Sequence, residues 1–348
     1  MSERHATRYA SVDSLRGLTV AAMLLVNDPG DWSQVYAPLE HAAWNGCTPT
    51  DVIFPLFLFI VGVSITLGLG AGTTNRAVLL RALRIVALGL LLHLAAHLAM
   101  GTPAFRPMGV LQRIGVCYAG AALLALHTSP RTQWLVFAAI LVAYAMLLFG
   151  APMTKEANLA SRLDMLLLGR HAYEFDAASG RAHDPEGVLS TLPALATTLL
   201  GVRCGAWLQR GALRKLLLAG LAGLAFGALA ATVQPLNKQL WTPSYVLWTG
   251  GLSIGALLLA HHLIDQRGWP AIGRSFGINA IAAYALAWLV VCALEGMHWG
   301  APLYQGGFGW IAPLLGPKAA SLAYAIVFVA LFWVGSALLA RRGVRIKI

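Results

Sequence analysis

Charge is what this sequence has least of. Only 11% of its 348 residues are Asp, Glu, Lys or Arg, less than half of the roughly 25% found in soluble globular domains. With 58% hydrophobic residues and a mean hydropathy of +0.69, that scarcity excludes an ordinary water-soluble enzyme and excludes disorder. Cysteine is scarce as well: the four, Cys47, Cys117, Cys204 and Cys292, lie far apart with no C-x-x-C pair, so neither a disulfide framework nor a zinc site is indicated. Fixed-period repeats, low-complexity tracts and Pro/Ser linkers are missing, and a single domain over residues 1–348 is expected. A Walker loop, a G-x-S-x-G elbow and an H-E-x-x-H helix are also missing, which leaves nucleotide hydrolysis, α/β-hydrolase chemistry and zincin chemistry without support.

What the chain has is apolar length. A bilayer-spanning helix needs about 20 mostly apolar residues, and ten runs are candidates: Leu15–Asn27, Val52–Gly70, Ile85–Met100, Met108–Leu126, Trp134–Gly150, Val188–Leu208, Leu216–Val233, Tyr245–Leu263, Ile278–Leu294 and Ala320–Ala340. The first follows a basic leader, Arg4 and Arg8, and is short enough to imitate a signal peptide. It runs into Asn27-Asp28-Pro29-Gly30 instead of a small-residue cleavage site, and is expected to be a retained helix. The expected fold is all-α, a polytopic integral membrane bundle of about ten transmembrane helices.

The positive charge sorts by side. With ten spans and the N-terminus inside, 17 of the 25 basic residues fall on one face, among them Arg4, Arg8, Arg76, Arg81, Arg84, Arg210, Arg274, Arg341, Arg342, Arg345 and Lys347. Cytoplasmic loops are enriched in Lys and Arg, so both termini are expected in the cytoplasm, and the formal charge of +11 needs no nucleic acid to explain it. Three long outer segments, Asp28–Asp51, Ala151–Glu186 and Glu295–Lys318, share the opposite face. The aromatic residues of the third, Trp299, Tyr304, Phe308 and Trp310, suit bilayer anchoring.

Polar groups beside apolar spans are costly and ask for a reason. The densest collection runs from Ser11-Val-Asp13 and Arg16-Gly17 through Asn27 to His41-Ala-Ala-Trp44-Asn45-Gly46, Thr48-Pro-Thr50-Asp51 and Phe54-Pro55. His41 has the only side chain there that ordinarily titrates near neutrality, which suits a general base or nucleophile; a solvated surface histidine is the alternative. Gln112-Arg113 opens the fourth span, where a buried Arg needs a carboxylate, carbonyls or a wet cavity. His93 and His97, four apart, share a helix face as metal ligands would, but lack a third ligand and read as an interfacial pair, so no metal is expected. Asp184-Pro-Glu186-Gly187 reads as a helix start with acidic residues at the positive dipole end. Asn237-Lys238-Gln-Leu-Trp241-Thr-Pro243 reads as an outer turn entering a helix, and Asn279 as an amide that glues helices.

These stretches, in order, closely resemble the heparan-α-glucosaminide N-acetyltransferase family: Ser11-Val-Asp13-Ser-Leu-Arg16-Gly17, Val26-Asn27, His41 to Pro55, Gly109-Val-Leu-Gln112-Arg113-Ile-Gly115-Val-Cys-Tyr118, His183-Asp184-Pro185-Glu186-Gly187, Asn237 to Tyr245, and Gly277-Ile-Asn279. The resemblance covers nearly the whole chain. It implies an integral membrane enzyme that takes acetyl-CoA from the cytosol and acetylates the amino group of a glucosamine-type sugar on the other side, with the family's catalytic histidine at His41 and an active-site asparagine at Asn27. Trp44, Asn45, Asp51, Arg113, Asp184, Glu186, Asn237 and Trp241 are then expected around the acceptor. Arg76, Arg81, Arg84, Arg274 and Asn279 are expected around the CoA. The large luminal domain and extra preceding helix of lysosomal members are not seen, so a compact member in a bacterial inner membrane is expected, with a free amino sugar or cell-wall glucosamine as acceptor; a homodimer is left open. The alternative from another class is a permease for amino sugars or N-acetylglucosamine that binds sugar with the same polar groups and does no chemistry.

Overall fold

The computed structural model describes residues 9–70, 72–155 and 157–346; Arg4, Arg8 and Lys347, which contribute to the expected charge asymmetry, lie outside the described residues. Each of the ten apolar runs coincides with a helix. They are α1 (Ala10–Asn27), α2 (Pro49–Gly68), α3 (Asn75–Met100), α4 (Val110–His127), α5 (Pro130–Phe149), α7 (Thr191–Gln209), α8 (Leu213–Ala231), α9 (Pro243–Ala260), α11 (Ala280–Gly296) and α14 (Pro317–Arg341). Short helices α6 (Leu159–Leu167), α10 (Arg274–Ile278), α12 (Gly300–Phe308) and α13 (Ala312–Leu315) fill the connections. Among the described residues, 7 helices are long and apolar enough to cross a bilayer: α2, α3, α4, α5, α8, α9 with its continuation to Gln266, and α14.

The other three differ for identifiable reasons. Helix α1 carries Asp13 and Arg16 in a short span. Helix α7 is buried along most of its length and holds Arg203 in its second half, so it is a central wedge more than a lipid-facing cylinder. Helix α11 breaks from the α12–α13 segment by 96°. That bend also changes the reading of the third outer segment, which is largely helical where a loop is expected. The second outer segment is likewise structured, by α6 and a small antiparallel hairpin, β1 (Glu174–Asp176) and β2 (Arg181–His183), that pairs Glu174 with His183 and Asp176 with Arg181.

Local sequence sets the helix starts that matter for the site. Thr48-Pro-Thr-Asp51 forms a capping box: the Thr48 side chain accepts from the Asp51 N–H, the Asp51 carboxylate accepts from the Thr48 N–H, and Pro49 fills the first turn, where its missing donor costs nothing. Thr242-Pro243 opens α9 in the expected place.

Packing between helices relies on small residues, as it must where lipid offers no hydrophobic drive for association. A Cβ at Gly62 of α2 would run into the Thr198 carbonyl oxygen of α7, and one at Gly201 would run into the Phe59 carbonyl oxygen of α2. Gly17 of α1 abuts the Gly273 carbonyl, and Gly277 the Asp13 carbonyl, which locks α10 onto α1. On the far side, an apolar groove of about 840 Å³ runs between α11 and α14.

Candidate functional site

Two polar chambers lie on the same four helices, one toward each end. The larger, about 520 Å³, is lined by Arg16 of α1, Phe57 and Ser64 of α2, Arg81 and Arg84 of α3, Tyr118 of α4, and Gly277–Ile281. The smaller, about 130 Å³, is lined by Met23 and Asn27 of α1, Thr50 and Phe54 of α2, Val110 of α4, Tyr284 of α11, and His41, Glu186 and Lys238 from outer segments. Arg16 and Asn27 are 11 residues apart on one helix, about 16 Å at 1.5 Å per residue. The facing walls are far closer: Phe57 and Ile281 line the first chamber, Phe54 and Tyr284 the second, each pair one helical turn apart. The chambers are therefore stacked end to end across roughly one turn of α2 and α11.

In the smaller chamber, Nδ1 of His41 lies 2.7 Å from Oδ1 of Asp51. An ionised carboxylate only accepts, so in the neutral ring Nδ1 carries the hydrogen and Nε2 the lone pair. The other Asp51 oxygen accepts from the N–H groups of Ala42 and Thr48, both at 3.0 Å. Asp51 is 1% exposed, whereas the His41 side chain is 45% exposed and reaches into the chamber. Tyr245 of α9 donates its hydroxyl to the Asp51 carbonyl at 2.5 Å, which ties this helix start to the bundle core. Asn27 ends α1 at the chamber wall with its amide unpaired among the described residues.

Two further charged groups complete the chamber. The Lys238 ammonium sits 3.1 Å from Nδ1 and 3.2 Å from Nε2 of His41, and 3.9 Å from Asp51 Oδ1. Burial pushes the Lys238 ammonium below its usual pKa, opposed by Glu186 and Asp51. Glu186 is held by the Arg106 guanidinium at 2.6 Å. Burial works against the Glu186 charge, but Arg106, Arg113 and Lys238 outweigh it and bring the carboxyl below the usual range.

Behind the chamber stands a wall of residues that support it without lining it. Arg106 also forks onto Asp184, at 2.9 and 2.5 Å. Asp184 and Glu186 thus serve Arg106, and the expectation that they sit at the positive end of a helix is corrected: α7 starts later, at Thr191, behind Ser190. Arg113 is fully buried; it donates to the Gly187 carbonyl and to Ser190 Oγ and lies 5.2 Å from the Trp241 ring centroid. Trp241 adopts a left-handed backbone, φ 55°, rare for a large side chain. Its indole N–H donates to Thr197 Oγ1, and its ring packs edge-on against Phe54 and Tyr245, contacts that hold the turn in place. Asn237 donates to Asn45 Oδ1 at 3.2 Å, and Trp44 donates to the Met153 carbonyl at 2.8 Å, which fastens the His41 segment to two neighbouring segments.

Of the expected acceptor-side residues, then, His41, Asn27 and Glu186 line the chamber and Asp51 bonds to His41. Trp44, Asn45, Arg113, Asp184, Asn237 and Trp241 form the wall. At the other chamber Arg81, Arg84 and Asn279 are lining residues; Arg76 and Arg274 are exposed and outside it. Asn279 also clasps the C-terminal segment, donating to the Val344 carbonyl and accepting from the Ile346 N–H. Lys238 lies in the expected outer turn without being assigned to the site, and Arg106 and Tyr284 are not assigned to it either. A cation on the side where the charge rule expects few was the available signal for the first two. His93 donates to the Arg106 carbonyl and packs against Trp288, while His97 pairs with Thr102; these two histidines do not converge.

The fold and site define a multi-pass helical membrane protein with two stacked polar chambers, one rich in guanidinium groups and one built around a histidine–carboxylate pair. The family model described as heparan-alpha-glucosaminide N-acetyltransferase, catalytic, matches residues 8–234. The chain belongs to that family. It is 27% identical over 352 residues to heparan-alpha-glucosaminide N-acetyltransferase of Mus musculus and 28% identical over 348 residues to that of Homo sapiens, covering 80% of this chain in each case. The matches take in 53% and 52% of those proteins, so the chain spans about half the length of the curated relatives it matches.

Proposed function

We propose that the protein is a transmembrane acetyltransferase that moves the acetyl group of cytosolic acetyl-CoA onto the amino group of a glucosamine-type sugar on the outer face. The observation that carries this reading is the stacking of the two chambers on α1, α2, α4 and α11, with about one helical turn between Phe57 and Phe54. In this reading all ten long helices span the bilayer, both termini are cytoplasmic, and the membrane is a bacterial inner membrane. The size of the larger chamber, about 520 Å³, falls within the range of small-molecule sites.

Arg81 and Arg84 suit the CoA phosphates because guanidinium groups pair with phosphate through two parallel hydrogen bonds. The thioester arm would then extend past Phe57 and Phe54 toward His41. An acetyl thioester is already activated, so the protein has to supply a deprotonated amine and stabilise the oxyanion. His41, its tautomer set by Asp51, presents Nε2 either to take a proton from the attacking amine or to accept the acetyl group. Asn27, with its amide unpaired, donates to the oxyanion. Glu186 draws the acceptor's amino-bearing edge into a chamber of about 130 Å³, which has room for little more than that edge.

The stacked chambers would also suit a carrier that moves an amino sugar without chemistry. Proteoliposomes with acetyl-CoA on the cytoplasmic face and glucosamine on the other separate the two. The enzyme yields acetylated sugar on the acceptor's side and loses that activity in His41→Ala. Sugar crossing unmodified, at a rate indifferent to acetyl-CoA and to His41→Ala, would establish the carrier instead.

A further inference from the structure

Lys238 stands apart from the other groups in the outer chamber because it touches the working face of His41. It comes from the turn before α9, 197 positions from the histidine, and its ammonium lies 3.1 and 3.2 Å from the two ring nitrogens. An ammonium equally close to both ring nitrogens lies over the ring face, because one in line with the in-plane Nε2 lone pair would stand on the side of the ring away from Nδ1. Lys238 therefore sits beside Nε2 and leaves its lone pair free. That lone pair is the one the proposed chemistry uses. A group that approaches along that lone pair arrives beside a positive charge that lies 3.2 Å from Nε2. The ammonium is held there from three sides: His41, the Asp51 carboxylate at 3.9 Å, and the attraction of Glu186 across the chamber. Of the neighbouring cations, Arg106 is engaged on Asp184 and Glu186, and Arg113, which bonds Gly187 and Ser190 through one nitrogen, does not line the chamber.

We propose that Lys238 is a catalytic residue of the transfer, donating a hydrogen bond to the thioester carbonyl oxygen as that oxygen becomes an oxyanion beside Nε2 of His41. The proposal rests on the acetyltransferase reading. In direct transfer, the acceptor nitrogen forms a bond to the carbonyl carbon and the C=O π pair moves to oxygen, where Lys238 and Asn27 donate. Nε2 of His41 takes a proton from the attacking nitrogen. The oxygen pair then returns, the C–S bond breaks with its electrons on sulfur, and the imidazolium proton passes to the thiolate. Amine and acetyl-CoA become amide and CoA thiol, with Lys238 protonated throughout. If Nε2 itself takes the acetyl group first, the oxyanion forms at the same place and Lys238 donates to it in the same way.

A preorganised donor to an oxyanion is felt in kcat more than in binding. Purified, folded Lys238→Met should lose about 10²–10³-fold in kcat, with acetyl-CoA affinity measured by titration calorimetry unchanged. Lys238→Ala leaves a space beside His41, and trimethylammonium, which keeps one N–H donor and cannot form a stable amide, should restore its turnover by about tenfold or more. The same cation should do nothing for His41→Ala. Lys238→Met within about threefold of wild-type kcat, beside an inactive His41→Ala, overturns the Lys238 role and leaves the acetyltransferase standing. A loss confined to acetyl-CoA affinity or to thermal stability, without rescue, also overturns it, since that is what an ion-pair strut would do. An active His41→Ala points to failure of the underlying reading instead.

Discussion

His41 and Asp51 are ten positions apart and share one carboxylate with the start of α2: Oδ1 orients the imidazole at 2.7 Å, while Oδ2 accepts the Thr48 N–H that caps the helix. The group that fixes the histidine tautomer is thus the group that fixes where the helix begins. The segment Glu40–Thr48 is drawn tight by the same oxygen through the Ala42 N–H, so the imidazole is placed by a rigid helix end even though it sits on an irregular segment.

Asp51→Asn is therefore expected to damage catalysis more than fold. The amide can still accept at one end, which keeps part of the cap, but it no longer compels a hydrogen on Nδ1. Turnover should drop by about 10²–10⁴-fold, the scale reported for removing such an orienting carboxylate, while the loss of cap strength costs about 1 kcal/mol. Labelled acetyl transfer and a thermal-unfolding scan on the same preparation separate the two effects.

Asn27→Ala should lower kcat by about 10²–10³-fold with little change in the acceptor's KM, as expected for an oxyanion donor. Because Asn27 is exposed at the end of α1 and has no hydrogen-bond partner to lose among the described residues, its removal should leave the unfolding temperature unchanged. A variant that raised only KM would reassign Asn27 to holding the sugar.

The pairing of His41 with Asp51 was partly legible, since T-x-x-D before an apolar run signals a helix start and brings the carboxylate back toward its own preceding segment. All ten helix positions were legible from apolar length. Lys238 was not, because its partner lies 197 residues away and only tertiary packing of α9 against α2 brings them together. The helix start expected at Asp184 and Glu186 is displaced for a related reason: a local cue, acid before helix, competes with Arg106, which arrives from the turn between α3 and α4 and pairs with both carboxylates. The shortfall of α1 and α7 as independent spans also follows from packing, since a helix surrounded by other helices can carry Asp13, Arg16 or Arg203 that lipid would not accept.

Gly62→Leu should prevent folding, and Gly62→Ala should destabilise by about 1–3 kcal/mol, the range for overpacking a tight contact. The added Cβ would meet the backbone of α7 at the Thr198 carbonyl, Val202 N at 2.8 Å and Gly201 Cα at 2.9 Å, none of which can swing aside as a side chain can. Gly255, with open space around its Cβ position, is the control on α9, where Ala should be tolerated. Detergent-solubilised thermal melts of the two Ala variants provide the comparison.

Stability should fall with rising pH through Asp28. Burial raises its carboxyl from 3.8 to about 7, so the folded chain holds this proton more tightly than the unfolded chain does. The stabilisation from the bound proton is fully present below about pH 4 and is lost as pH rises through about 7. Asp28→Asn stays neutral throughout. The melting temperature of the variant relative to wild type should therefore climb between pH 4 and pH 7 and level off above, and a gap that stays flat over that range would remove the argument.

Single-cysteine labelling tests the orientation on which the proposed transfer depends. Phe175 lies in β1, exposed, on the segment between α5 and α7; Arg76 lies exposed at the start of α3, near the chamber that holds Arg81 and Arg84. The four native cysteines need replacement by Ala first, and three of them are buried, so the background should be checked for acetyl transfer. In intact cells a membrane-impermeant maleimide should label Phe175→Cys and spare Arg76→Cys until the membrane is opened. The reverse pattern would put the His41 chamber in the cytoplasm beside free acetyl-CoA, and transfer across the membrane would no longer be needed. Labelling of both positions from outside would mean that an odd number of the intervening helices fails to cross, with α7 and its buried Arg203 outside this interval and α3, α4 and α5 the helices at issue.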